Sequence, residues 1–429
     1  MLNDGGPPGP FAVLRSHAAP VGVIRFLNLG SHSGSTHSPA TLVSGDQRGI
    51  VFLWDLASRR VAHRVDAHVH EATGHSTTLS TGGVLAVDAA GGRLLTQGRD
   101  GLVKVWDIAE GRTQTSAGPS TSNSGKAGSN AAAYGPLRAL QERSSFNTFA
   151  ATFCKFSVIA GAAGSGPTLI AAPAVNPSQL DVWDLRARTV AASFVPPCGK
   201  AGSGGWGMCT ACKLLRSVGA MAGHRLFVAA VYEDGHLRIF DGLRPGSAPA
   251  ITAKLLDDVI LSIAVNVGST RGVVVGAGAS ASAFALDLKT FRVRVARCFP
   301  LGGKVRDGAG EVVLREWDER IFATAGWDGR VRIFDWNRLR PLAILKHHEA
   351  SVCSLAFSPH PVDARSIHDS VLGAVASDTL GCENAGMPLV AVDTENGLDG
   401  HQRQPLGDGA GVVLASASKD ARIALWKIY

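Results

Sequence analysis

The sequence predicts an all-β fold, a closed ring of seven sheets of the β-propeller type. Three observations predict it: a strand, tight turn and strand recur seven times, the turns carry Asp-Gly or a variant of it, and no long helical periodicity is evident. The fullest copy is Ile321 to Pro359 (IFATAGWDGRVRIFDWNRLRPLAILKHHEASVCSLAFSP). It reads as an apolar strand (Ile321 to Ala325), the turn Gly326-Trp327-Asp328-Gly329, an alternating strand (Arg330 to Asp335) and a further strand (Pro341 to Leu345). A His348-Glu349 turn then leads into Ser351 to Phe357. Side chains alternate with period two, so Val331 and Ile333 point one way and Arg330, Arg332 and Phe334 the other. One such sheet cannot bury both faces and needs a neighbour on each side.

In chain order, the other copies are Ser44 to Leu56 (SGDQRGIVFLWDL), Thr96 to Ile108 (TQGRDGLVKVWDI), Gln179 to Leu185 (QLDVWDL), Ala230 to Asp241 (AVYEDGHLRIFD), Ala281 to Leu288 (ASAFALDL) and Ser416 to Ile428 (SASKDARIALWKI). The third and fifth are weak. The residue before each strand-ending Asp or Lys is Trp54, Trp106, Trp183, Phe240, Leu286, Phe334 and Trp426. Successive spacings are 52, 77, 57, 46, 48 and 92, against about 40 to 45 for a WD40 blade. The two long gaps therefore hold insertions. Residues 111–130 are rich in Ser, Gly and Thr and read as a flexible tract, as does the segment 360–411. Residues 1–10 read as a disordered N-terminus, leaving one domain at 11–429.

A 429-residue chain suggests two or three domains on length alone. Radial stacking overrides that expectation. The seventh unit has only three strands before Tyr429, and Phe11 to Leu14 (FAVL) has no unit of its own. This segment is expected to supply the missing outer strand and close the ring.

The N-terminal MLNDGGPPGP has neither a basic segment nor an apolar core, so no secretory signal is read. No apolar run is long enough to span a membrane; the best candidate, Gly272 to Leu286, is broken by Gly and Ser. The seven cysteines, Cys154, Cys198, Cys209, Cys212, Cys298, Cys353 and Cys382, are scattered and odd in number, against a disulfide framework. Cys353 reads as a small hydrophobe in a core strand. Cys209-x-x-Cys212 lacks a second ligand pair, so no metal is expected. Gly202, Gly204 and Gly207 satisfy G-x-G-x-x-G, but their flanks are not a strand and a helix; a loop is expected and no cofactor.

No H-E-x-x-H, P-loop or G-x-S-x-G occurs, and no catalytic residue is assigned. The histidines have a structural explanation. In WD40 blades a turn His, a strand Ser or Thr, the turn Asp and the Trp of the next strand form a buried hydrogen-bond chain. His348, Ser416, Asp420 and Trp426 fit it in the last blade. Thr96, Asp100 and Trp106 fit it in the second, with His68 or His75 as its histidine, and His17 is a further turn His. The first blade departs from it, with Arg48 at the turn position and Asp46 two residues earlier. The sixth keeps Thr324 and Asp328 but has Phe334 for Trp, and the third and fifth lack the pattern.

The net charge of +7 raises nucleic acid as a partner. Its distribution argues against direct binding, because Lys and Arg are spread singly. The densest cluster, Arg292, Arg294, Arg297, Lys304 and Arg306, is split by Cys298-Phe299-Pro300. Arg292 and Arg294 share one face of an outer strand, which reads as a charge-protected edge that an acidic protein partner would also suit.

The units IFATAGWDGRVRIF and LAILKHHEASVCSLAFSP, with SGDQRGIVFLWDL, AHVHEA, QGRDGLVKVWDI and SKDARIALWKIY, resemble the fungal ASTRA-associated protein 1 family, whose animal relative is the G-protein β-subunit-like protein 1. The resemblance runs from about Phe11 to Tyr429. It implies a nuclear, non-enzymatic WD40 scaffold of the ASTRA assembly, with the cytoplasm as a second compartment. It also implies a link to chromatin remodelling and to the co-chaperone machinery that matures phosphatidylinositol-3-kinase-related kinases. Other readings are a different WD40 adaptor, such as a ubiquitin-ligase substrate receptor or ribosome-assembly factor, and a nucleic-acid-binding propeller. For a scaffold, loops carry binding while sheets carry stability. Trp327 is the clearest partner contact, with packing against the next blade as the structural alternative; Arg330 and the pair Trp206 and Met208 are further candidates.

Overall fold

The computed structural model describes residues 9–27, 41–69, 82–108, 140–149, 151–160, 167–196, 205–217, 225–244, 246–302, 307–359, 362–363 and 410–428. The predicted insertion at 111–130 and His75 lie outside the described residues, as do most of 1–10 and of 360–411.

Seven antiparallel four-stranded sheets form the ring. From the innermost strand outward, blade 1 is Val21–Leu27, Thr41–Asp46, Ile50–Asp55 and Arg60–Asp66. Blade 2 is Val84–Ala90, Arg93–Gly98, Leu102–Ile108 and Leu140–Asn147. Blade 3 is Ser157–Ile159, Leu169–Pro173, Leu180–Asp184 and Thr189–Phe194, and blade 4 is Cys209–Arg216, Leu226–Tyr232, His236–Asp241 and Ile251–Lys254. Blade 5, weak in sequence, is complete: Ile260–Val265, Arg271–Gly276, Ser280–Asp287 and Arg292–Pro300. Blade 6 is Ala309–Leu314, Ile321–Gly326, Arg330–Asp335 and Pro341–Lys346. Blade 7 takes Val352–Phe357, Ala410–Ser418 and Ile423–Ile428 from the C-terminal part and Ala12–Leu14 from the N-terminal part. Ala12 pairs with Leu425 and Leu14 with Ile423, so the ring closes by a hydrogen-bonded latch. A short extension of blade 7 pairs Val362 with Gly411 and Asp363 with Ala410.

The core lies between blades. Ala323, Val331 and Ile333 of blade 6 pack with Leu355, Leu414 and Trp426 of blade 7. On the opposite side Phe322 and Phe334 stack on each other and pack with Ala281, Ala283 and Phe299 of blade 5. Both faces of the Arg330–Asp335 strand are thereby covered, as stacked sheets require.

The innermost strands have no further strand to pair with, and side chains of the preceding blade accept several of their free N–H groups. Ser354 Oγ accepts from Ile24 (3.2 Å), Ser157 Oγ from Leu214 (3.0 Å), Ser262 Oγ from Val312 (3.2 Å) and Glu311 from Leu355 (2.7 Å). These bonds tie blades 7 to 1, 3 to 4, 5 to 6 and 6 to 7, where orphaned amides would otherwise face the channel. Gln97 does the same between blades 2 and 3, donating to Cys154 O and accepting from Phe156 N–H.

The strand-ending Asp of the repeat also has a local task. Asp55, Asp184, Asp287 and Asp335 accept the backbone N–H two residues on, forming Asx-turns that start the hairpin to the outer strand.

Candidate interaction surface

The face carrying the tight turns between second and third strands is here the upper face. Three blades hold these turns with the same hydrogen-bond chain. In blade 7, His348 Nδ1 lies 3.0 Å from Asp420 Oδ2 and Nε2 lies 2.8 Å from Ser416 Oγ, which accepts from Trp426 Nε1 at 2.9 Å. In blade 2, His68 contacts Asp100 (2.8 Å) and Thr96 (2.9 Å), and Trp106 donates to Thr96 (2.9 Å). His68 thus fills the position for which His75 was the alternative. Gly98 is required there, because a Cβ would lie 2.3 Å from His68 Nδ1.

Blade 1 corrects the sequence reading. Its chain is complete: His17 contacts Asp46 (2.9 Å) and Ser44 (2.7 Å), and Trp54 donates to Ser44 (2.8 Å). Asp46, two residues early, reaches the same histidine nitrogen, while its other oxygen accepts from Arg48 N–H and Ile50 N–H.

A neutral imidazole donating from Nδ1 to the carboxylate leaves Nε2 to accept the hydroxyl proton, which satisfies every polar group in the chain. Burial pushes the His348 pKa down and outweighs the pull of Asp420. Burial alone would raise Asp420, but bonds from Arg422 N–H and His348 hold it below the usual carboxylate range.

Blade 6 is a second correction. Thr324 and Asp328 do not join a histidine chain. Without a Trp N–H at Phe334, the Thr324 hydroxyl is buried with no hydrogen-bond partner among the described residues. Asp328 is instead gripped by both Nη atoms of Arg332, at 3.0 and 2.6 Å, with Arg330 more distant at 3.7 Å. Blade 4 repeats the device, Arg238 bonding both oxygens of Asp234 at 3.0 and 2.5 Å. The pattern Asp-Gly-x-x-Arg, at Asp234 to Arg238 and Asp328 to Arg332, is the sequence signal for this alternative. Each planar guanidinium takes the place of the histidine as partner of the turn Asp.

The turns surround a central channel of ≈ 1160 Å³. Lys155 of blade 3 crosses it to meet Glu311 of blade 6 at 2.6 Å. Burial would raise the Glu311 pKa, but the charges of Lys155 and Arg25 and the Lys155 bond hold it low. Among the described residues Asp88, also facing the channel, has no ion-pair partner, and burial raises its pKa against the pull of Arg25 and the Ala89 N–H. Cys353 lines the channel, a correction to its reading as a core residue, since the inner strand turns it inward.

At the upper mouth Trp327 is 40% exposed and Phe153 56%. The Trp327 backbone is pinned by N–H donation to Gly308 O and acceptance from Ser351 Oγ. Its ring leans over Gly310 of its own blade's inner strand, with Nε1 3.3 Å from where a Cβ would stand. Arg99 lies over the Phe153 ring at 5.7 Å, and Lys419 lines the same mouth. Two exposed aromatic rings beside cationic side chains form a surface suited to a polypeptide partner.

No family model matches the chain. ASTRA-associated protein 1 of Penicillium rubens is 25% identical, covering 99% of this chain and 98% of its own length. The Schizosaccharomyces pombe protein of that name is 24% identical, covering 98% and 99%. The chain is similar to proteins named ASTRA-associated protein 1 along nearly its whole length. A mouse protein named guanine nucleotide-binding protein subunit beta-like protein 1 is 25% identical, covering 82% of this chain and 91% of its own. The matches to the Penicillium rubens and Schizosaccharomyces pombe sequences span all seven blades and the closing strand.

Trp206, the other aromatic candidate, is half-buried. Its ring meets Tyr232 edge-on at 5.1 Å and lies under the Arg238 guanidinium at 4.2 Å, packing that accounts for it without a partner. Gly207 of the G-x-G-x-x-G pattern has φ +76°, and Glu233 accepts from the next residue, Met208 N–H; the glycine serves this turn. Cys209 and Cys212 lie with Cys154 between blades 3 and 4, Cys154 and Cys209 Sγ being 4.0 Å apart. Among the described residues no group of three or more His, Cys, Asp or Glu is placed to hold a metal ion.

Proposed function

We propose that this chain is a non-catalytic WD40 scaffold subunit of an ASTRA-type assembly, acting in the nucleus. In this role it serves chromatin remodelling and the maturation of phosphatidylinositol-3-kinase-related kinases. The observation that carries the reading is end-to-end similarity to proteins named ASTRA-associated protein 1. The upper face supports it, because the buried chains and arginine forks fix the turns while Trp327, Phe153 and Arg99 remain accessible around the channel mouth. A rigid display of this kind lowers the ordering cost of binding and suits a subunit that joins other proteins. Affinity purification of the tagged full-length chain with mass spectrometry tests the assignment. Recovery of the kinase-maturation co-chaperone is expected; recovery of a ubiquitin ligase or ribosome precursors in its place would overturn it.

A further inference from the structure

The outer strand of blade 5, Arg292–Pro300, carries Arg292, Arg294 and Arg297, all exposed. Their spacing in sequence would send Arg297 to the face opposite Arg292 and Arg294. A bulge prevents this. Arg292 pairs with Asp287, Arg294 with Ala285 and Arg297 with Ala283, the register slipping by one between Val295 and Arg297. Asp287, Ala285 and Ala283 share one face of their strand, so all three arginines do too. Ala283 packs with Phe322 and Phe334, so this face looks toward blade 6. There Arg330 and Lys346 pair with each other on the blade 6 face shared with Arg332 and Phe334, as does the exposed Ile344. The wedge between the two outer strands is therefore lined by Arg292, Arg294, Arg297, Arg330 and Lys346 with Ile344, and carries the exposed carboxylate of Asp287 at its Arg292 end. Among the described residues none of the three blade 5 arginines has a carboxylate partner. Asp287 accepts the backbone N–H groups of Lys289 and Thr290 and the Thr290 hydroxyl, and Asp328 is paired with Arg332.

We propose that this wedge is a second protein-binding site, taking an acidic segment that adds to blade 5 as a fifth, outermost strand. Among the described residues Arg292–Pro300 is paired with a strand only on its inner side, which leaves its outer edge open to a further strand. A strand added there alternates its side chains, and carboxylates at every second residue stand beside the arginines, about 7 Å apart along the chain. The intervening apolar residues fall on the face of Val293 and Val295. The same arginines repel the identical edge of a second copy, so the surface selects an acidic partner by excluding itself. Single-stranded nucleic acid fits less well, because it needs stacking platforms. The exposed aromatic rings of the described residues, Phe11, Phe153, Trp317 and Trp327, belong to other elements.

The test is fluorescence anisotropy of the full-length protein with a labelled twelve-residue peptide of alternating Glu and Val, and separately with an oligothymidine. The Glu-Val peptide should bind, and Arg294→Glu/Arg297→Glu should weaken it about tenfold. N-methylation of alternate peptide amides should abolish binding by blocking strand pairing. Should the double reversal fail to fold, Arg294→Gln/Arg297→Gln takes its place, with an expected loss of about threefold. Undiminished binding to the charge variants, unchanged affinity of the N-methylated peptide, or arginine-dependent binding of oligothymidine without peptide binding would each overturn the proposal.

Discussion

Lys155 and Glu311 meet across the channel at 2.6 Å, joining blades 3 and 6 through residues 156 apart in sequence. Glu311 also accepts Leu355 N–H of blade 7, so one nearly buried carboxylate holds three blades. Lys155→Met strands that charge and should destabilise the protein by about 2 kcal/mol. Adding Glu311→Gln, which keeps an acceptor for Leu355, should recover most of the loss. Urea unfolding of the two single variants and the double variant checks this coupling.

The Thr324 hydroxyl is buried without a partner among the described residues. Thr324→Val removes that unpaired group at nearly constant shape and should stabilise the protein by about 1 kcal/mol. A lower thermal midpoint would mean that the hydroxyl has a partner in solution.

Ala421 occupies, at φ +63°, the turn position that Gly329 occupies in blade 6 at φ +77°. A left-handed alanine costs about 1 kcal/mol, which Ala421→Gly should recover in part despite the looser unfolded chain. The comparison of denaturant midpoints decides it.

Acid should weaken the ring in two stages. The folded state holds the His348 pKa below its ordinary 6.5, so below about pH 6.5 the unfolded chain takes up a proton that the folded chain refuses, and stability falls as pH drops. The Asp420 pKa is held below 3.8; its contribution is present above that value and is lost as pH falls further, through the folded pKa. Unfolding free energy measured between pH 7.5 and 5.5 should therefore decline, and His348→Asn should flatten that decline.

The ring is legible because most blades write a local signal, a tight turn carrying Asp or Gly, an alternating strand and a strand-ending Asp, and the weak copies fall at intervals that the strong ones set. The buried chains of blades 2 and 7 follow from fixed spacing, as at Thr96, Asp100 and Trp106. Blade 1 hides its chain from the sequence because the carboxylate reaches the histidine nitrogen from Asp46, a different backbone position, and only space defines that equivalence. The Arg332 fork on Asp328 carries a sequence pattern, but one that looks like ordinary strand alternation. Lys155 with Glu311, and Gln97 with Cys154 and Phe156, depend on the closure of the ring and have no local signature. Cys353 reads as a core residue in sequence because a propeller's innermost strand looks like a buried one, yet one of its faces lines the channel.

The most direct test is affinity purification of the tagged full-length chain beside its Trp327→Ala/Arg99→Ala variant, with thermal midpoints measured for both. Wild type should recover the kinase-maturation co-chaperone, and the variant should lose most of it with its midpoint nearly unchanged. A clean purification that lacks the co-chaperone, or full recovery by the folded variant, would contradict an ASTRA-type scaffold that binds through its upper face.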